Sequence, residues 1–359
     1  MKVIENYLKN LLLKLLLFFN PAKGKHFKNK VSDQEKILFI RLNRIGDALV
    51  VTPLLHEVRK NIKAKIYLLA DKKNYMAFNN NPDIDELLIF NKGIKGFFEI
   101  RKLVRNEGIN TFVDAHDDVS TTVSFLVALT KASNKFALEK DNKNIYTKTI
   151  KRLDSSKSHV VDRILELAKL FNINPDKSSA NIHFTPNTES FQKVSEYLLK
   201  AFQQNKFLIG INISAGSKAR FWGIENYKRI IAYLKKFEAN LLLLCSPNDK
   251  EHAEQIAEDK CKIFYSEKYD EFGAMISKLN FLITPDTAAV HLASVFKIPV
   301  FGIYVKYKTN DMIWSPYKSD FECIITDDPN LEHVDFKEVL QKLKPFIEKY
   351  ILSSSNVSR

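Results

Sequence analysis

Two α/β domains, each built on a largely parallel sheet with helices on both faces, are predicted for this 359-residue chain. Three observations predict them. From residue 36 onward, short apolar runs of strand length alternate with helical stretches. The alternation breaks once, at the polar, turn-rich NINPDKSSANIHFTPNT after Phe171, and then restarts. Length and composition allow both halves a core: 359 residues suffice for two ordinary domains, and 45% of them are apolar.

In the first half the strand candidates are 37–42, 65–70, 86–90, 110–115 and 135–138, with helices at 53–61, 98–106, 119–131 and 160–171 between them. A helix at 189–204 follows the break. Strands at 207–213, 240–244, 262–265, 281–284 and 299–304 then make up the second half. A last helix, 336–350, has mixed apolar and charged faces; it either closes the second domain or packs back across the first. The tail 353–359 is expected to fray. The domain reading is therefore an extension at 1–35, an N-terminal domain at 36–178, a linker and helix at 179–205, a C-terminal domain at 206–333 and a helix with tail at 334–359. Two facing α/β domains imply a cleft between them, a favoured place for ligands.

The net charge is +13, from 55 basic and 42 acidic residues. Such an excess points to nucleic acid, an anionic membrane or a negatively charged substrate. Its distribution narrows the choice, because residues 1–30 carry seven lysines against one acid, Glu5, nearly half of the excess. The same segment contains LLLKLLLFFN, whose apolar run is about half the roughly 20 residues needed to span a bilayer and is interrupted by Lys14. No small-x-small cleavage site follows it, which argues against a signal peptide. The expectation is a basic amphipathic helix on the inner, anionic face of the cytoplasmic membrane, with packing on the protein's own core as the alternative. Cys245, Cys261 and Cys323 are odd in number and lack CxxC spacing, so they read as reduced thiols in a cytoplasmic protein.

Ligands of open α/β sheets bind where strands end and helices begin. The first such place is ILFIRLNRIGDALVVTPLL, residues 37–55. An apolar strand carrying Arg41 breaks at Asn43, Arg44, Ile45 and Gly46 and resumes as a helix, with the Asp47 carboxylate at the turn. Read alone, Asp47 is a helix cap, and Arg41, Asn43 and Arg44 are solvated loop residues. Pro53 either kinks a helix that begins at Asp47 or starts a second one capped by Thr52. The second place is INISAGSKARFWG, residues 211–223, where Ser214, Gly216 and Ser217 offer hydroxyls and open backbone and Lys218 and Arg220 offer charge. It lacks the GK[ST] of a P-loop, but only ten glycines occur in the chain and Gly46 and Gly216 both fall in these loops. The third is FLITPDTAAVHLA, residues 281–293. Asp286 and Thr287 stand at an N-cap whose unpaired N–H groups and dipole suit a phosphate, with His291 one turn further on. A fourth, VDAHDD at 113–118, holds Asp114, His116, Asp117 and Asp118. Neighbours on a strand end point different ways, so a compact metal site is not expected there; His116 is the residue expected to line the cleft.

Taken in order, RLNRIGDALVVTPLL, SAGSKARFW and PDTAAVHLA resemble the heptosyltransferase family, glycosyltransferase family 9, over roughly residues 36–350. These are bacterial inverting glycosyltransferases of the GT-B fold, two Rossmann-like domains facing across a cleft. The resemblance implies that Asp47 is the general base that takes the acceptor hydroxyl's proton. It implies a donor site made of Ser214, Ala215, Gly216, Ser217, Lys218 and Arg220 with Asp286, Thr287, Ala288 and His291, and no metal or other cofactor. The implied donor is ADP-heptose, and the implied acceptor is the acidic inner core of lipopolysaccharide or a related lipid-linked glycan. Arg41, Asn43, Arg44 and His116 would face that acceptor. The chain departs from the family pattern in three places. Ala288 replaces the glycine of an Asp-Thr-Gly turn, Ala215 and Gly216 stand in the phosphate loop where hydroxyls are frequent, and Val305, Lys306 and Tyr307 replace Gly-Pro-Thr.

The implied location is the cytoplasm, peripheral on the inner face of the membrane. One rival is a transferase with another nucleotide-sugar donor. A nucleic-acid-binding protein would need a helix-turn-helix, zinc or stacking signature that is missing, and a dinucleotide oxidoreductase would need the GxGxxG that LNRIGDA lacks. A catalytically dead homologue is the last rival, on the strength of Ala288.

Overall fold

In a computed structural model, the described residues are Leu11, 35–203 and 206–357. The surface helix expected in the first 30 residues lies, Leu11 apart, outside them. The chain divides into two compact units between Ala180 and Asn181.

The first unit carries β1 (Lys36–Arg41), β2 (Lys65–Asp71), β3 (Glu86–Phe90), β4 (Thr111–Asp114), β5 (Asn134–Leu138) and β6 (Lys148–Ile150), all parallel, in the order β3-β2-β1-β4-β5-β6. Its helices are α1 (Ile45–Leu49), α2 (Thr52–Asn61), α3 (Ile94–Glu107), α4 (Thr121–Leu129) and α5 (Val160–Leu165), the last running into a 3-10 turn at Glu166–Phe171. Strands covered on both faces read as continuous apolar runs, and β1 buries five of its six residues. On one face Leu38, Ile40, Tyr67 and Phe112 meet Ile100 and Val104 of α3 and Val123, Leu126 and Val127 of α4. On the other, Phe171 packs edge-on to Phe136 at 5.3 Å between ring centres and lies over Phe39 at 6.3 Å.

The second unit repeats the plan. It opens with α6 (Thr188–Ala201), which packs on α9 (Tyr269–Ile276). Strands β7 (Phe207–Asn212), β8 (Ala239–Cys245), β9 (Lys262–Tyr265), β10 (Phe281–Pro285), β11 (Val300–Val305) and β12 (Phe321–Thr326) are parallel, in the order β12-β11-β10-β7-β8-β9. Counted from its own first strand, this is the order of the first unit. In each, the chain fills one side of its first strand and then crosses to the other, leaving a switch point between β1 and β4 and between β7 and β10. Helices α7 (Ile224–Leu234), α8 (Lys250–Ala257), α10 (Ala288–Val295) and α11 (Phe336–Val357) complete the unit. Val339, Leu343 and Ile347 of α11 are buried in this unit's own core, and Phe346 and Tyr350 stack around Phe281. The last helix therefore closes the second unit. It runs to Val357, through residues expected to fray.

The structure adds β6 and β12, which the apolar pattern did not announce. Both are edge strands. β6 is three half-buried residues, and β12 buries only Ile324, so neither is a continuous apolar run. Pro53 starts a second helix, but the cap is Val51; Thr52 is the first helical residue and donates its hydroxyl to Leu49 O at 2.8 Å.

Trp222 anchors the loop after β7. It is 1% exposed, donates Nε1–H to Val334 O at 3.0 Å and stacks on Phe336 at 6.2 Å. Its large buried surface and the orphaned carbonyl set the cost of removing it. Trp222→Ala should destabilise the protein by about 3–5 kcal/mol, read from urea denaturation followed by circular dichroism.

Candidate functional site

At the first switch point the chain leaves β1 through Leu42, Asn43 and Arg44 and enters α1. Asn43 has φ +96°, a conformation rare outside glycine, and both Asn43 and Arg44 are exposed. Asp47 lies in the first turn of α1, its side chain 21% exposed. The residue that places it is Arg41. Its guanidinium donates Nη2–H to Asp47 Oδ1 at 2.7 Å, Nε–H to Asp47 O at 2.8 Å and Nη1–H to Ala115 O at 2.7 Å. Arg41 is itself 1% exposed. It is therefore neither a solvated loop residue, as the loop reading expected, nor turned toward an acceptor, as the resemblance implied; every nitrogen of its head is spent inside the unit. The position explains this: Arg41 closes a central strand that is covered on both faces, so either side of the strand buries it.

The loop after β4 is held just as tightly. His116 is fully buried, accepts the Leu42 N–H on Nε2 at 3.2 Å, and has Nδ1 2.7 Å from Asp114 Oδ1. That pairing defines the neutral tautomer with the proton on Nδ1. His116 thus stitches β4 to the exit of β1 and has no nitrogen left for an acceptor, which corrects its expected role. Asp114 also receives Lys140 Nζ at 2.7 Å and the Tyr146 hydroxyl at 2.5 Å. Burial alone would raise the Asp114 pKa, but the Lys140 charge, then His116, outweigh it and keep the carboxyl well below its ordinary range. Asp117 accepts from Arg152 and Arg163. Burial again opposes, yet these hydrogen bonds win and hold it at about 2. Among the described residues no group of three His, Cys, Asp or Glu side chains could hold a metal ion.

At the second switch point the loops after β7 and β10 are brought together. Asn212, buried at the end of β7, donates to Ser214 O at 3.1 Å, to Thr284 Oγ1 at 2.9 Å and to Thr287 Oγ1 at 3.3 Å. The sequence reading passed over Asn212; an amide closing an apolar strand was the available signal. Thr287 is the N-cap of α10 and accepts from Ala289 N at 3.2 Å. Arg220, on a short 3-10 turn at Lys218–Arg220, reaches Asp286 at 2.9 Å, with side chains 28% and 22% exposed. Ser217 and Lys218 are exposed and Ala215 half-buried. Ser214 is braced inward: its hydroxyl donates to Asp249 Oδ2 and accepts from Ser246 N. A Cβ added at Gly216 would meet nothing, so glycine is not sterically required there. Ala288 is the first residue of α10 and is not among the positive-φ residues, so its methyl brings no backbone strain. His291 is 2% exposed with its ring 5.9 Å from Trp314, inside the unit rather than on the surface of the turn, as one helical turn beyond an N-cap on a buried helix dictates.

A cavity of about 830 Å³ lies elsewhere in the second unit, lined by Lys235, Phe237, Asn240, Glu258, Lys260 and Lys262. It sits where β8 and β9 begin. Ligands of such sheets bind at the opposite, carboxyl ends of the strands, so each unit has its own candidate site in the loops at its switch point. One offers a held carboxylate. The other offers a guanidinium beside a helix N-terminus, a place for an anion.

Burial drives the His116 pKa below its ordinary value, against the pull of Asp114. The native protein therefore resists the proton that unfolded histidine takes up below about pH 6.5. Stability should fall as pH drops through that value, and His116→Gln should remove this part of the slope in thermal melts run from pH 7.5 to 5.

Residues 98–344 match the family model described as Glycosyltransferase family 9 (heptosyltransferase). An Escherichia coli K12 protein provisionally named lipopolysaccharide heptosyltransferase 4 is 23% identical over 342 residues, covering 89% of this chain and 91% of its own. Among solved structures, a family 9 glycosyl transferase from Veillonella parvula aligns with TM-score 0.77 at 19% identity, covering 89% of this chain and 99% of that one. E. coli heptosyltransferase WaaC with ADP aligns with TM-score 0.67 at 14% identity, covering 88% and 99%. The two parallel six-stranded sheets are those of the GT-B heptosyltransferases. The family match spans more than half of the chain and takes in the whole second switch point, and the chain is therefore a glycosyltransferase belonging to family 9, the heptosyltransferases.

Proposed function

We propose that this glycosyltransferase moves heptose from ADP-heptose, with inversion, onto the phosphorylated inner core of lipopolysaccharide or a related lipid-linked glycan. What supports this reading is the position of the three motifs that resemble the family, which stand at the switch points of the two sheets, the two around Arg220 and Asp286 lying within the matched residues 98–344. WaaC, the relative with ADP in its structure, lends the nucleotide. Asp47 takes the proton from the acceptor hydroxyl as that oxygen attacks the anomeric carbon, opposite the departing diphosphate. Arg41 keeps the carboxylate in one orientation, and Arg44 and Asn43, exposed beside it, are left to meet the acidic acceptor. The diphosphate takes its place at Arg220 and the first turn of α10, where a guanidinium and helix N–H groups stabilise the charge that builds on the leaving oxygen. Because the pair of Arg220 with Asp286 is partly exposed, an incoming phosphate competes for the guanidinium on even terms. No metal or other cofactor is required by this scheme. Residues 1–30 add a basic hold on the inner membrane surface.

Asp47→Ala should lower turnover about 10²- to 10⁴-fold, the usual worth of a general base, while donor affinity measured by calorimetry stays within a few-fold of the parent. Unchanged turnover would remove Asp47 from the reaction. In a donor panel, ADP release from ADP-heptose should exceed UDP release from UDP-sugars; the reverse would assign another donor, to which Val305, Lys306 and Tyr307 would then answer. Deleting residues 1–30 should weaken binding to anionic vesicles.

A further inference from the structure

The helix after β3 carries a surface that the transfer reaction does not use. In α3, Gly96, Ile100 and Val104 face the core. On the opposite side Ile94 is 77% and Phe98 63% exposed, one turn apart, and Ile89 on the preceding edge strand is 42% exposed. Among the described residues, α3 is the one helix with two large apolar side chains exposed a turn apart. Its entry is built rather than loose. Gly93 has φ +106°, and a Cβ at Gly96 would lie 1.6 Å from Asn91 O, so the turn can be made only with glycine at both places.

Charge surrounds this apolar pair. Between residues 91 and 105 there are five cations, Lys92, Lys95, Arg101, Lys102 and Arg105, against one acid, Glu99. The buried Asp71 carboxylate is paired by Lys92 at 2.8 Å. β3 and β1 are parallel strands of one sheet, two spacings or roughly 10 Å apart, so α3 begins at the same end of the sheet as Asp47.

We propose that Ile94 and Phe98, ringed by these cations, form a docking surface for an anionic lipid bilayer. Two apolar side chains on one exposed helix face, with lysines and arginines beside them, fit the boundary between headgroups and acyl chains. The excess of like charge disfavours a second copy of the same surface as partner, since the two faces would repel. The inference rests on this surface alone and not on the identity of the donor. It differs from the basic extension at residues 1–30 in place and in means: two inserted side chains, not a lysine-rich segment. Docked in this way, the end of the sheet that carries Asp47 is brought to the membrane surface.

The test uses the full chain with Phe98→Trp and vesicles containing phosphatidylglycerol. The introduced indole should shift its emission to the blue on vesicle addition and be quenched by brominated acyl chains, beyond any change in the parent's Trp222 and Trp314. The double variant Ile94→Ser, Phe98→Ser should keep the parent's circular dichroism and lose on the order of tenfold or more in vesicle partition. Partition onto pure phosphatidylcholine should be weaker for every chain. Vesicle binding that leaves the introduced indole in water, or a double variant that partitions like the parent, would overturn the proposal. So would equal binding to neutral vesicles, or self-association without lipid that the double variant abolishes, which would make the patch an interface between copies.

Discussion

A buried guanidinium at the end of β1 is the constraint on which the first unit's working end depends. Arg41 carries a permanent charge into an environment without water, and such a charge is tolerated only when it is fully paired. The chain meets the requirement with three acceptors from two places: the carboxylate and carbonyl of Asp47 in α1, and the carbonyl of Ala115 after β4. The start of α1 and the exit of β4 are thereby tied to one rigid fork. His116 adds a second tie, from Asp114 to the Leu42 N–H. Lys140, bonded to Asp114 and to the carbonyls of His116 and Asp118, adds a third. Of the two carboxylates these ties hold, Asp114 is fully buried and Asp47 keeps a face toward solvent.

The second unit solves the same topological problem with softer means. A neutral amide, Asn212, bridges the loops after β7 and β10, and Trp222 pins the far side of the first loop. The charged pair, Arg220 with Asp286, stays partly exposed, where water screens it and exchange is cheap. One switch point is thus fixed around an acid and the other is ready to trade one anion for another. That difference suits the roles proposed for them, a base that holds its geometry through a reaction and a site that binds and releases a charged ligand.

Much of the fold could be read from the amino acids, because a strand buried on both faces has to be apolar along its whole length. Every interior strand announced itself in this way, and so did the break between the two halves. β6 and β12 did not, because an edge strand with one open side has no need of such a run. The motifs were legible for a related reason: a strand that stops just before Asn43 or Asp286 leaves polar residues where an apolar pattern ends. What those residues touch was not legible. Arg41 and Arg44 are three positions apart and chemically alike, yet one is spent inside and the other faces water.

By itself, then, the sequence determined the two α/β units, the strand-end positions of Asp47, Arg220 and Asp286, and the family they belong to, since all of these follow from local pattern and order. Only the tertiary structure decided which polar residues look outward. His116, His291 and Ser214 turn inward, and Asn212 emerges as a bridge, because their partners come from elements distant in the chain. Burial and hydrogen bonding across a sheet depend on which strands lie side by side, and that is set by the crossing of the chain at each switch point rather than by any neighbour in sequence.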